Sequence, residues 1–202
     1  MKNLKVLCAG IGMDNNGIRG LDLVELNITN NRKITDIFFM KNLKILHAGE
    51  ISSIDDNSIR NLDLIEMHVS NNNNITNVSH MKNLELLNAG GDCGINDEGI
   101  QGLNLVSLDI SGNRKITHIS FMTSLKILKI VGECRVKNKN IRNLNLYMLD
   151  ASHNLRIKDV SFMKTLKILH AYGSCGIDDD GIKGLDLIEL CGSGNFWITQ
   201  KN

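Results

Sequence analysis

Asp150, His170 and Cys191 present a carboxylate, an imidazole and a thiol at intervals of 20 and 21 residues. Together they have the chemistry of a nucleophilic relay, in which the imidazole takes the thiol proton and the carboxylate orients the ring. Those intervals bring the groups together only if the chain returns to the same place every 20 or 21 residues. His47 and His68 raise the same question, because a histidine pair holds a metal only with further ligands. No further ligands are legible beside them, so neither a metal nor another cofactor is expected. Gly90-Gly91 and Gly10-Ile-Gly12 lack the G-x-G-x-x-G order and following helix of a dinucleotide site.

The elements that position these residues follow from Leu105-Val-Ser-Leu-Asp-Ile-Ser-Gly-Asn113, which reads L-x-x-L-x-I-x-x-N. It returns every 41 residues, from Leu23, Leu64, Leu146 and Leu187, closed by Asn31, Asn72, Asn154 and Asn195. This pattern resembles the leucine-rich repeat, a short parallel strand followed by an asparagine turn. The resemblance covers the whole chain in ten half-repeats. It implies an α/β fold: a right-handed solenoid of about ten coils, with a parallel β-sheet on the concave face and short 3₁₀ or helical turns on the convex face. One domain over residues 1–202, without evident caps, is the expected organisation.

The 41-residue unit has two halves. The longer, 22 residues from Met40, Met81, Met122 and Met163, continues into segments such as Cys93-Gly-Ile-Asn-Asp-Glu-Gly-Ile100. This half resembles the cysteine-containing repeats of F-box-associated leucine-rich proteins, and Asp55, Asn96 and Asp178 are placed to cap a short helical turn. The shorter half, 19 residues, has back sides such as Ile34-Thr-Asp-Ile-Phe-Phe-Met40 and is similar to internalin repeats. Too few residues remain there for a full α-helix, so a 3₁₀ turn or extended chain is expected.

Leucines at the first, fourth and sixth pattern positions point inward and stack on those of the next coil. The Asn31, Asn72, Asn113, Asn154 and Asn195 amides form a structural ladder that satisfies backbone groups where each strand ends. In the longer halves the role passes to Cys93, Cys134 and Cys175, with Ser52 in the second copy. Phe39, Phe121 and Phe162 fill one column, where His80 is a hydrogen-bonded, partly buried replacement. The three cysteines, 41 residues apart, are two coils or about 10 Å from one another at the usual strand spacing. A disulfide needs Cα atoms within about 7 Å, so reduced structural thiols are expected.

Lys and Arg number 23 against 22 Asp and Glu, which gives no global pull toward nucleic acid or an anionic membrane. No membrane span or signal-peptide core is legible. With reduced thiols, this points to an intracellular, cytoplasmic protein.

On the concave face the fifth-position column reads Cys8, Asn27, His47, His68, Asn88, Asp109, Lys129, Asp150, His170, Cys191. Scaffold columns repeat, whereas this one changes at nearly every coil. Lysines at the second position of the longer halves and glutamates at the third of the shorter ones are expected to pair across strands. Leucine-rich repeat proteins mostly bind proteins through this face, so the resemblance implies a non-enzymatic protein-interaction module with a protein partner. The residues expected to bind it are Asp109, Lys129, Tyr147, Asp150, His170 and Tyr172. Two rival readings are a thiol hydrolase built on Cys191, His170 and Asp150, and a substrate-recognition component of a ubiquitin ligase. A hydrolase of this kind needs an oxyanion pocket, which a flat sheet does not supply. Phe196-Trp197, where other copies carry pairs such as Arg114-Lys115, reads either as a lid on the last coil or as an end-to-end self-association contact.

Overall fold

The computed structural model describes residues 3–199, which form two compact units divided between Leu103 and Asn104. In the first unit, β1 (Val6–Cys8), β2 (Glu25–Asn27), β3 (Ile45–His47), β4 (Glu66–His68) and β5 (Leu86–Asn88) pair in chain order, all parallel. In the second, β6 (Ser107–Asp109), β7 (Ile127–Lys129), β8 (Met148–Asp150), β9 (Ile168–His170) and β10 (Glu189–Cys191) do the same. Each strand has three residues, and its middle residue points inward. Leu26, Leu46, Met67, Leu87, Leu108, Leu128, Leu149 and Leu169 are all fully buried. The strands are so short that no coil buries its apolar face alone, and stability comes from stacking neighbours.

The back side alternates as the two half-repeats do. Single α-turns lie at Asn15–Ile18, Asp56–Ile59 and Asn138–Ile141, and 3₁₀ turns at Glu98–Ile100 and Asp180–Ile182. Asp55 Oδ1 accepts from Ser58 N at 2.9 Å, Asn96 Oδ1 from Gly99 N at 3.0 Å and Asp178 Oδ1 from Gly181 N at 2.8 Å. These bonds satisfy the N–H groups that a helical turn leaves open. Among the described residues the shorter halves carry no helical turn; Ile34, Ile37 and Met40 reach the core from irregular, extended chain.

The asparagines closing the shorter-half strands are buried, and their side-chain amides bond to backbone groups. Asn72 Nδ2 donates to Ala48 O (2.8 Å) and Ile54 O (3.2 Å), and Oδ1 accepts from Asn74 N (2.9 Å). Asn31 donates to Gly10 O and Met13 O and accepts from Lys33 N and Ile34 N. Asn113 accepts from Lys115 N and Ile116 N, Asn154 donates to Ile130 O, and Asn195 donates to Ile177 O. In the longer halves Cys134 and Cys175 are buried, and burial pushes both thiols up while the backbone N–H groups of the next two residues oppose the shift. Ser52 departs from this pattern: its buried hydroxyl has no partner among the described residues.

Two further expectations are corrected. Phe39 and Phe121 are exposed and Phe162 is half-buried, because Ile37, Met40, Ile119, Met122, Val160 and Met163 already hold the inward positions. The outward ring of Phe162 instead faces the Arg142 guanidinium at 6.0 Å. His80, in the same column, is exposed and has Ile59 O 3.3 Å from Nε2. Phe196 and Trp197 do not form a lid: they are 89% and 64% exposed.

Candidate functional site

The outward side chains of a strand are two residues apart, so the first and third residues of each three-residue strand share the solvent face. On β8, β9 and β10 this brings forward Met148 and Asp150, Ile168 and His170, and Glu189 and Cys191. The register sets Asp109 beside Lys129, Lys129 beside Asp150, Asp150 beside His170, and His170 beside Cys191. All six residues expected to bind a partner lie in the second unit. Tyr147 precedes β8 and is 46% exposed; Tyr172 follows β9 and is 37% exposed. Two of the carboxylates are also used locally. Asp109 Oδ1 accepts from Ser111 N (3.0 Å) and Asp150 Oδ1 from Ser152 N (3.1 Å), which fixes each side chain over its own turn.

The glutamates at strand starts meet histidines rather than lysines. His170 Nε2 lies 2.8 Å from Glu189 Oε1, and His68 Nε2 lies 2.6 Å from Glu66 Oε1. His47 Nε2 is 3.9 Å from Glu25 Oε1. The lysines stand one residue before the strand, at its entry edge, and reach groups that precede the next strand. Lys5 pairs with Asp22 (2.6 Å) and Lys167 with Asp186 (2.5 Å), while Lys44 and Lys126 donate to the carbonyls of Asp63 and Asn145. The Lys5 ammonium and the Asn42 amide hold the Asp22 carboxyl below its usual range.

Glu189 changes the meaning of the Asp150, His170, Cys191 set. The imidazole faces Asp150 through Nδ1, with Oδ2 3.8 Å away, and Glu189 through Nε2. The Cys191 thiol donates to Glu189 Oε1 at 3.5 Å. Cys191 holds the Tyr172 phenol above its usual range, while His170 first and Cys191 second hold the Glu189 carboxyl below its own. Among the described residues, no hydrogen bond joins His170 to Cys191. The nucleophile-to-base contact of a relay is therefore replaced by two contacts to a shared carboxylate. Sequence reasoning placed Glu189 in a glutamate column and missed its role; the signal was its i, i+2 spacing from Cys191, which puts both beside His170.

A basic cavity of about 600 Å³ lies elsewhere in the second unit. Arg114, Arg135, His153 and Arg156 line it, with Glu133 paired to Arg114.

Short parallel strands in chain order, inward leucines and buried asparagine turns define a leucine-rich-repeat-like solenoid protein. Among solved structures the chain is similar to the functional domain of InlJ from Listeria monocytogenes, which includes a cysteine ladder, with 21% identity and a TM-score of 0.45. The likeness covers 94% of this chain and 53% of that one, so this chain spans about half of its length. No protein-family model matches the chain, and no curated protein matches it.

Proposed function

We propose that the chain is a non-enzymatic protein-interaction module whose partner docks on the outward strand face of the second unit. One observation carries this reading: the inward columns repeat from coil to coil, while the outward column runs Asp109, Lys129, Asp150, His170, Cys191. Selection for packing alone would not diversify it. Exposed apolar groups stand among these charges, including Tyr147, Tyr172 and Ile188, the last 76% exposed. Aromatic anchors within a polar surround are the composition of protein-binding hot spots. The contacts of Glu189 argue against a thiol relay, because they engage both His170 and Cys191. In this reading the alternating half-repeats are F-box-associated-like and internalin-like, an assignment resting on their sequence patterns.

The test combines Lys129→Glu with Tyr147→Ala. Both side chains are exposed, so circular dichroism and melting stay near wild type. Partner capture from host-cell extract falls by about 30-fold, corresponding to the ~2 kcal/mol of a lost hot spot. Lys139→Glu with Lys158→Glu, exposed on the back side, leaves capture unchanged. The reverse pattern would overturn the assignment of the face.

A further inference from the structure

We propose that His170, Glu189 and Cys191 form a surface site for a borderline-soft divalent cation, with zinc the best fit. Among the described residues, His170, Glu189 and Cys191 each offer a ligand atom, and these atoms all lie within 4.8 Å of one another. Imidazole nitrogen, carboxylate oxygen and thiolate sulfur are the three donor types that zinc accepts in one tetrahedral shell. Calcium and magnesium call for oxygen donors and disfavour this set. In a tetrahedral shell with bonds of about 2.0–2.3 Å, donors lie roughly 3.3–3.8 Å apart. His170 and Glu189 are already closer than that, at 2.8 Å, and Cys191 and Glu189 are within it, at 3.5 Å. The third pair, His170 and Cys191, lies within 4.8 Å, so admitting the ion calls for rotations of these side chains to bring the three donors to tetrahedral spacing.

The surrounding groups fit the same geometry. Asp150 Oδ2 lies 3.8 Å from Nδ1 of His170, on the ring edge away from Glu189. A carboxylate in that position favours the tautomer that carries its proton on Nδ1, leaving the Nε2 lone pair for the metal. The backbone also constrains the set: Glu189 and Cys191 are the two outward residues of β10, and His170 pairs with Cys191 in register. On binding, the Cys191 S–H bond breaks, the sulfur electron pair forms the metal–sulfur bond, and one proton leaves to solvent. Three protein ligands leave a fourth position open to water or to a donor from another molecule. The site stands on this donor set, independently of the docking reading.

The experiment uses the full chain, reduced and stripped of metal, titrated with Co²⁺ and then with Zn²⁺. The expected result is one equivalent of Co²⁺ with tetrahedral visible absorption and a near-ultraviolet thiolate-to-cobalt charge-transfer band, both removed by Zn²⁺. Cys191→Ser abolishes the charge-transfer band, His170→Gln and Glu189→Gln weaken binding at least tenfold, and Asp150→Asn weakens it by about 10–100-fold. Cys8→Ser, which alters the exposed thiol of β1, leaves the titration unchanged. Absence of the band at millimolar Co²⁺ would overturn the site. So would a band that survives Cys191→Ser, or equal affinity in wild type and the His170 variant while circular dichroism shows every variant folded.

Discussion

The imidazoles of His47 and His68 stack across neighbouring strands, with centroids 4.4 Å apart and planes within 7° of parallel. Burial first, and the neighbouring His68 second, push the His47 imidazole below its ordinary value, while Glu25 and Glu66 oppose the shift. The folded state therefore binds fewer protons than the unfolded chain just below the ordinary histidine value of about 6.5. The resulting stability is present above that value and is lost as pH falls through the lower folded value. The melting temperature of wild type should fall more steeply than that of His47→Gln between about pH 7 and pH 5. Parallel curves for the two proteins would refute the coupling.

Asn72→Ala removes a buried amide and leaves Ala48 O, Ile54 O and Asn74 N without that partner. Urea unfolding should show a loss of about 1–3 kcal/mol, the cost of an unsatisfied buried polar group. Asn195→Ala breaks fewer of these bonds, to Ile177 O and from Trp197 N, and should cost less. Asn61→Ala, on an exposed position, should stay within about 0.5 kcal/mol of wild type. A similar loss for all three would remove the asparagine ladder as a source of stability.

The five cysteines divide by burial: Cys93, Cys134 and Cys175 are inside, Cys8 is exposed and Cys191 is half-buried. An alkylating reagent should modify two thiols in the folded protein and five after unfolding without reductant. Mass spectrometry should place the early label on Cys8 and Cys191, since burial raises the Cys134 and Cys175 thiols and denies access to them. Early label at Cys134 or Cys175 would show that the coil opens far more readily than its packing implies.

What was legible in the sequence follows from its periodicity. A 41-residue return of L-x-x-L-x-I-x-x-N places Leu105, Leu108 and Ile110 inward and Asn113 at the turn, because the alternation of a strand leaves no other face for them. Pairings between outward side chains were less legible. A column assignment puts Glu189 and Lys167 near one another, but whether a side chain reaches forward, sideways or back depends on a fraction of a residue in strand entry. Lys167 accordingly reaches Asp186, and Glu189 meets His170. The phenylalanine column failed for a related reason: Ile119 and Met122 already filled the inward positions on either side of Phe121.

The back side holds the last prediction, in a column that reads Gly17, Ser58, Gly99, Asn140, Gly181. At Gly99 a Cβ would lie 2.1 Å from Thr76 O, and at Gly181 it would lie 2.2 Å from Lys158 O. Both glycines let neighbouring coils approach closely enough for Val78 N to donate to Gly99 O (2.9 Å) and Val160 N to Gly181 O (2.8 Å). The second copy solves the same contact with a side chain, since Ser58 Oγ donates to Thr35 O at 2.8 Å from within an α-turn. Gly99→Ala adds volume without a donor, so it should destabilise by about 1–3 kcal/mol, the usual range for overpacking. Amide exchange at Val78 should accelerate. Gly99→Ser should recover part of the loss by adopting the Ser58 arrangement. Gly17→Ala meets only the flexible Met13 side chain and should cost less than Gly99→Ala. Equal losses at Gly17 and Gly99, with Val78 exchange unchanged, would show that close backbone approach is not what holds glycine there.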